Sequence, residues 1–206
     1  MFGSPLYPII DIDLCGMRGI DPRLLALSFF SGGARTIQVR QKSAGSGALL
    51  ALIRDIVASA SAHDARVIVN DRADLARMAG ADGVHVGQSD LSPAEVKAIA
   101  GHGAIVGLST HTRAQVDAAV DQPVDYIAVG PVFQTRTKET GYEPRGLELV
   151  AYAAATGRPV VAIGGITLDN ASEVLEAGAS AVALISDLAG NDPKARIREF
   201  LQRLSA

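Results

Sequence analysis

The chain has 206 residues, a formal net charge of −3, 48% hydrophobic and 20% charged residues. That suits one domain able to remove roughly 70% of its unfolded surface from water, and leaves little room for two. No long run of one charge occurs, which excludes the basic footprint of a nucleic-acid binder and confines any phosphate binding to local clusters. Apolar runs such as Val160–Ile163 fall far short of the roughly 20 residues that a membrane-spanning helix needs, so no membrane partner is expected.

Cys15 is the lone cysteine and cannot form an intrachain disulfide. No charged leader with an apolar core precedes the first predicted strand, and the cytoplasm is the expected compartment. Trp is absent and aromatics are 4%, which argues against a binding face of many stacked rings.

Short runs rich in Val and Ile predict strands at Leu6–Asp11, Arg35–Arg40, Val67–Asn70, Gly83–Val86, Ile105–Ser109, Tyr126–Gly130, Val160–Ile163 and Ala181–Ile185. They lack apolar/polar alternation, the pattern of parallel strands buried on both faces. Between them helices are predicted over Pro22–Phe30, Gly47–Ala62, Ala73–Ala79, Pro93–Ala100, Arg113–Val120, Leu147–Ala155, Asn170–Ala177 and Pro193–Leu204. In Gly47–Ala62, Leu49, Leu50, Leu52, Ile53, Ile56 and Val57 recur near a period of about 3.6. The alternation predicts an α/β fold, a single (β/α)8 TIM barrel spanning 1–206. The junctions Gly32-Gly33, Gly80-Ala81 and Gly178-Ala179 read as left-handed helix caps with no chemistry.

Barrel enzymes carry their chemistry after the C-terminal ends of the strands. The second strand ends in Gln38-Val39-Arg40-Gln41-Lys42, with Gln38, Arg40 and Lys42 on one side by period two. Cations there need an anion, either a carboxylate on a neighbouring strand end or a phosphate ligand, and the phosphate is favoured. Asp71 follows the third strand and Asp90 the fourth; two hard carboxylates at one mouth suit Mg²⁺ better than zinc. Asp90 also stands where Ser92 and Pro93 open a helix, so a structural role is open to it.

His85 lies inside an apolar strand, where a packed, hydrogen-bonded histidine is the common case. Ser109 ends the fifth strand and is placed to meet a substrate, Thr112 reads as a helix N-cap, and His111 could move protons or cap a turn. The sixth strand runs into Gln134-Thr135-Arg136-Thr137-Lys138, a loop that could grip phosphate or be simply solvated. Gly164-Gly165 and Ile185-Ser186 end the last two strands, where many barrels bind phosphate through backbone amides.

Taken in order, QVRQK, NDR, HVGQSD, GLST, GPVFQTRTK, IGGI and LIS resemble the thiamine phosphate synthase family over Leu6 to Ser186. The acidic pair together with T-x-T-K is the specific part. The resemblance implies that Gln38, Val39, Arg40, Gln41, Lys42, Asn70, Ser109 and Lys138 hold an aminopyrimidine diphosphate. It implies that Thr135, Arg136, Thr137, Gly165, Ile185 and Ser186 hold a thiazole phosphate or its carboxylated tautomer, and that Asp71 and Asp90 hold Mg²⁺. Catalysis would fall to Lys138, Arg40, Lys42 and Ser109 in a dissociative displacement of diphosphate. Gln41 and Gln134 depart from the residues more usual at their positions. The partners expected are small phosphorylated molecules, and a homo-oligomer is compatible with the sequence. Two alternatives are a thiazole tautomerase of the same superfamily, using His111, and a non-catalytic thiamine-phosphate-binding protein.

Overall fold

The computed structural model describes residues 2–42, 45–135 and 141–205. Its strands are β1 (Leu6–Asp11), β2 (Thr36–Arg40), β3 (Arg66–Asn70), β4 (Gly83–Val86), β5 (Ile105–Thr110), β6 (Tyr126–Val129), β7 (Val160–Ile163) and β8 (Ala181–Leu184). They pair in parallel in chain order and close through β1 and β8 into a barrel. Helices α1 (Ile12–Arg18), α2 (Pro22–Gly32), α3 (Ser46–Ser61), α4 (Ala73–Ala79), α5 (Pro93–Ala100), α6 (Arg113–Val120), α7 (Gly146–Ala154), α8 (Ala171–Glu176) and α9 (Pro193–Leu204) lie between and after them.

The strand side chains divide by period two between two cores, which explains the missing alternation in their composition. Tyr7, Ile9, Ile68, Tyr126, Ala128, Val161 and Ala183 fill the barrel interior. Leu6, Ile10, Ile37, Val39, Val67, Val69 and Ile127 pack outward against the helices. Phe29 and Phe30 of α2 and Phe200 of α9 are almost wholly buried, and each such ring contributes about 1.5–3 kcal/mol of burial. Gly32 lets α2 and α9 close the seam, since a Cβ there would stand 2.7 Å from Ile197 Cβ.

The barrel and most element bounds are as the sequence predicts, and Ser92 and Thr112 cap α5 and α6 as expected. Gly33, Gly80 and Gly178 take positive φ at the helix-to-strand junctions. One element was not foreseen. Helix α1 starts where Asp11 Oδ1 accepts the Leu14 amide and ends at Gly19 with φ 65°. Its seven residues include Gly16 and are too few to carry a helical period. Among the described residues, no helix is long and apolar enough to cross a membrane.

Candidate active site

A cavity of about 460 Å³ opens at the C-terminal ends of the strands. Gln38 and Arg40 reach it from β2, Asn70 from β3, His85 from β4 and Ser109 from β5. Thr135, Gly165, Ile185 and Ser186 line the same space from the loops after β6, β7 and β8. Members of both predicted clusters therefore share one cavity. Arg136, Thr137 and Lys138 lie outside the described residues.

Within the QVRQK stretch the pleat separates the side chains. Gln38 faces the cavity, whereas Val39 packs in the outer core. Gln41 and Lys42 follow the strand end and do not line the cavity. Arg40 is not the uncompensated cation that would demand an anion, because its guanidinium pairs with Asp11 of the adjacent β1. Both side chains are largely buried, at 14% and 12% exposure. The neighbouring-carboxylate alternative thus holds for Arg40, which still presents its side chain to the cavity.

Asp71 follows β3 with φ 58°, a left-handed conformation that aspartate tolerates better than most residues, and neither it nor Asp90 is among the residues that line the cavity. Its amide donates to the His85 carbonyl at 2.8 Å, pinning the end of β3 to β4. Lys42 Nζ stands 3.6 Å from Asp71 Oδ2. Burial, and after it the neighbouring Asp90 charge, push the Asp71 carboxyl above the usual range, with Lys42 opposing. Asp90 Oδ2 accepts the Gly87 amide at 2.9 Å, so its carboxylate turns back over the β4 loop. It does not cap α5, whose N-cap is Ser92.

Two adjoining carboxylates whose repulsion favours binding a proton also favour binding a cation. Among the described residues no group of three or more His, Cys, Asp and Glu could hold a metal. This donor set fits a hard divalent ion that completes its shell with water and ligand oxygens.

Under the cavity runs a chain of buried polar groups. Gln38 Nε2 donates to Tyr7 Oη at 3.3 Å, and the Tyr7 and Tyr126 hydroxyls are 3.0 Å apart. Tyr126 Oη lies 2.9 Å from His85 Nδ1, and His85 Nε2 lies 2.8 Å from Ser109 Oγ. Burial pushes both phenols well above their usual pKa, so they stay protonated. His85 is packed and hydrogen-bonded, as the sequence suggests. The tyrosines were not foreseen, because an inward Tyr early in a strand reads as core packing.

His111 is tied into the turns around it, as the capping alternative expects. Nδ1 donates to the Gly130 carbonyl at 2.6 Å, its amide donates to Gln115 Oε1 at 2.7 Å, and the ring lines the cavity. The ring also stacks on Tyr142 with centroids 4.2 Å apart.

At the other wall, Gly164 and Gly165 have φ 103° and 66°. The Val132 and Phe133 amides donate to the Ile163 and Gly164 carbonyls at 2.9 Å each. The β6 loop is thereby laid against them so closely that a Cβ on Gly165 would collide with Gln134 O and Phe133. Arg18 was missed along with α1. It lines the cavity, and Nη1 donates to the Ser186 and Ala189 carbonyls at 3.0 Å each.

The family model described as thiamine monophosphate synthase matches residues 6–188. A thiamine-phosphate synthase of Anaeromyxobacter dehalogenans is 46% identical over 179 residues, covering 86% of this chain and 80% of the relative. One of Koribacter versatilis is 42% identical over 205 residues, covering 97% and 95%. The solved structure of thiamine phosphate pyrophosphorylase from Pyrococcus furiosus superposes with a TM-score of 0.87 at 29% identity, covering 98% and 96%.

Proposed function

This chain belongs to the thiamine monophosphate synthase family, transferases of thiamine biosynthesis, and on that premise we propose how its cavity works. The substrates are 4-amino-2-methyl-5-(diphosphooxymethyl)pyrimidine and 4-methyl-5-(2-phosphooxyethyl)thiazole, or the carboxylated tautomer of the latter. The products are thiamine phosphate and pyrophosphate, with carbon dioxide lost in addition when the thiazole is carboxylated.

The observation that supports this reading is that Gln38, Arg40, Asn70 and Ser109 of one cluster line the same cavity as Thr135, Gly165, Ile185 and Ser186 of the other. Gln38, Asn70 and Ser109, with the Val39 and Gln41 segment beside them, receive the pyrimidine diphosphate. Arg40, Lys42 and Lys138 offset the charge that grows on the leaving group. Thr135, Arg136, Thr137, Gly165, Ile185 and Ser186 seat the thiazole phosphate, partly through backbone amides.

The reaction is dissociative. The bond between the methylene carbon and the diphosphate oxygen breaks with its electron pair going to oxygen. The thiazole nitrogen then gives its lone pair to the pyrimidinylmethyl cation. Nitrogen carries no proton to lose, so no general base is needed, and preorganised charge does most of the work. Asp71 and Asp90 are the residues that would hold Mg²⁺; when bound, it supplies further positive charge to the departing diphosphate.

The test is a time course of the purified protein with both substrates and Mg²⁺. Thiamine phosphate and pyrophosphate should appear in equal amounts. Pyrophosphate without thiamine phosphate, or neither product, would overturn the reading.

A further inference from the structure

The polar chain beneath the cavity has a direction. Gln38 begins it with an amide nitrogen, which can only donate. If Tyr7 receives that proton, its own hydroxyl proton goes to Tyr126 Oη, and the Tyr126 proton goes to His85 Nδ1. His85 must then carry its proton on Nε2 and donate to Ser109 Oγ. The Ser109 proton is left to point into the cavity. In the opposite order Tyr7 would receive protons from both Gln38 and Tyr126. Its own proton would find no acceptor among the hydrogen bonds of the described residues. At 1% exposure such a donor is costly.

The sequence holds this geometry from several sides. Gly107 has no side chain where a Cβ would run into the Tyr126 ring. Tyr126 stacks on the His85 imidazole at 5.5 Å and 21°, and meets Tyr7 edge-on at 6.0 Å and 89°. Phe2 closes the far side with its ring 5.3 Å from Tyr126.

We propose that Tyr126 is a positioning residue which, through His85, fixes Ser109 as a hydrogen-bond donor to the ligand, while Tyr7 fixes the Gln38 amide oxygen as an acceptor. The consequence is selectivity. An exocyclic amino group donates to the Gln38 oxygen, whereas an oxo group in its place would face that oxygen lone pair to lone pair. A buried mismatch of this kind discriminates strongly. The amino-against-oxo consequence rests on the pyrimidine substrate proposed above; the proton order does not.

The two parts can be tested separately. ¹⁵N NMR of the histidine-labelled, ligand-free protein, at a pH well above the ordinary imidazole value of about 6.5, reads the His85 tautomer. The wild type should show the proton on Nε2, and Tyr126→Phe, which keeps the ring and removes the donor, should shift it toward Nδ1. The same substitution should lower kcat/KM about tenfold, through KM more than kcat, as expected for one lost hydrogen bond. Tyr7→Phe should cut the preference for the aminopyrimidine over its oxo analogue by about tenfold, because the Gln38 amide can then turn over. A wild-type proton on Nδ1, or a tautomer unmoved by Tyr126→Phe, would overturn the proton order. An unchanged preference in Tyr7→Phe would overturn the selectivity. A wild type inactive with both substrates would instead sink the reaction and leave the tautomer result standing.

Discussion

Asp11 holds two elements at once, its Oδ2 pairing with Arg40 on β2 while Oδ1 accepts the Leu14 amide at the start of α1, 3.0 Å away. Asp11→Ala removes a helix cap worth about 1 kcal/mol and leaves a largely buried guanidinium without its carboxylate, so a total loss of about 2–3 kcal/mol is expected. For a chain of this size that is a fall in Tm of roughly 5–10 °C. Asp11→Asn keeps the cap and loses only the charge, and should fall between wild type and Asp11→Ala. Thermal melts of the three proteins check the order.

The pair also shows where the sequence ceased to be legible. Strands buried on both faces advertise themselves by composition, and β1, β4 and β7 begin and end where predicted. Strongly signalled helices, with Pro93 and Pro193 opening α5 and α9, do the same. In the sequence Arg40 stands as a cation awaiting an anion because its partner lies 29 residues earlier, and only the β1–β2 register brings the two together. Tyr7 and Tyr126 escaped notice for the same reason: they are 119 residues apart, and barrel closure makes them neighbours. Which strand ends line the cavity was readable locally; which side chains compensate each other was not.

Asp71 gives a pH dependence whose sign follows from the raised carboxyl. Its folded-state pKa lies above the unfolded value because of burial and Asp90. The favourable contribution is therefore fully present below the ordinary carboxylate range and is lost as pH rises through the folded value. At neutral pH the ionised group opposes folding of the metal-free protein. Asp71→Asn should raise Tm there, and the advantage should vanish in acid; asparagine also accepts the φ of 58°. Mg²⁺ should raise the wild-type Tm at neutral pH and lose its effect as acid protonates Asp71. Melts across pH with and without Mg²⁺ read both. A magnesium titration unaltered in Asp71→Asn would remove that residue as a ligand.

Gly165 joins the β7 end to the β6 loop. A side chain there meets both the positive φ of 66° and the backbone of Gln134. Left-handed strain alone costs about 1–2 kcal/mol for an L residue, and the collision requires the loop to retreat. Gly165→Ala should lose about 2–4 kcal/mol of stability. Because Thr135 rides on that loop, KM for the thiazole phosphate should rise at least about tenfold, while KM for the pyrimidine diphosphate moves little. Steady-state kinetics with each substrate varied in turn would separate the two. An equal rise in both would mean that the loop serves the whole cavity.

Lys138 completes the charge argument. Arg40 shares its charge with Asp11, and Lys42 stands 3.6 Å from Asp71, so neither is a bare cation awaiting the diphosphate. A leaving group that gains negative charge needs further positive charge placed in advance, and Lys138 is the cation that the T-x-T-K motif supplies. Lys138→Ala should slow the chemical step by about 10²–10³-fold, the usual cost of one preorganised charge stabiliser. Arg40→Ala should slow chemistry less and destabilise the fold more, since Asp11 would lose its partner in a largely buried setting. Single-turnover kinetics isolates chemistry from product release. A chemical step unchanged in Lys138→Ala would assign the lysine to ground-state binding and shift the burden of leaving-group stabilisation to Arg40, Lys42 and the Mg²⁺ that Asp71 and Asp90 would hold.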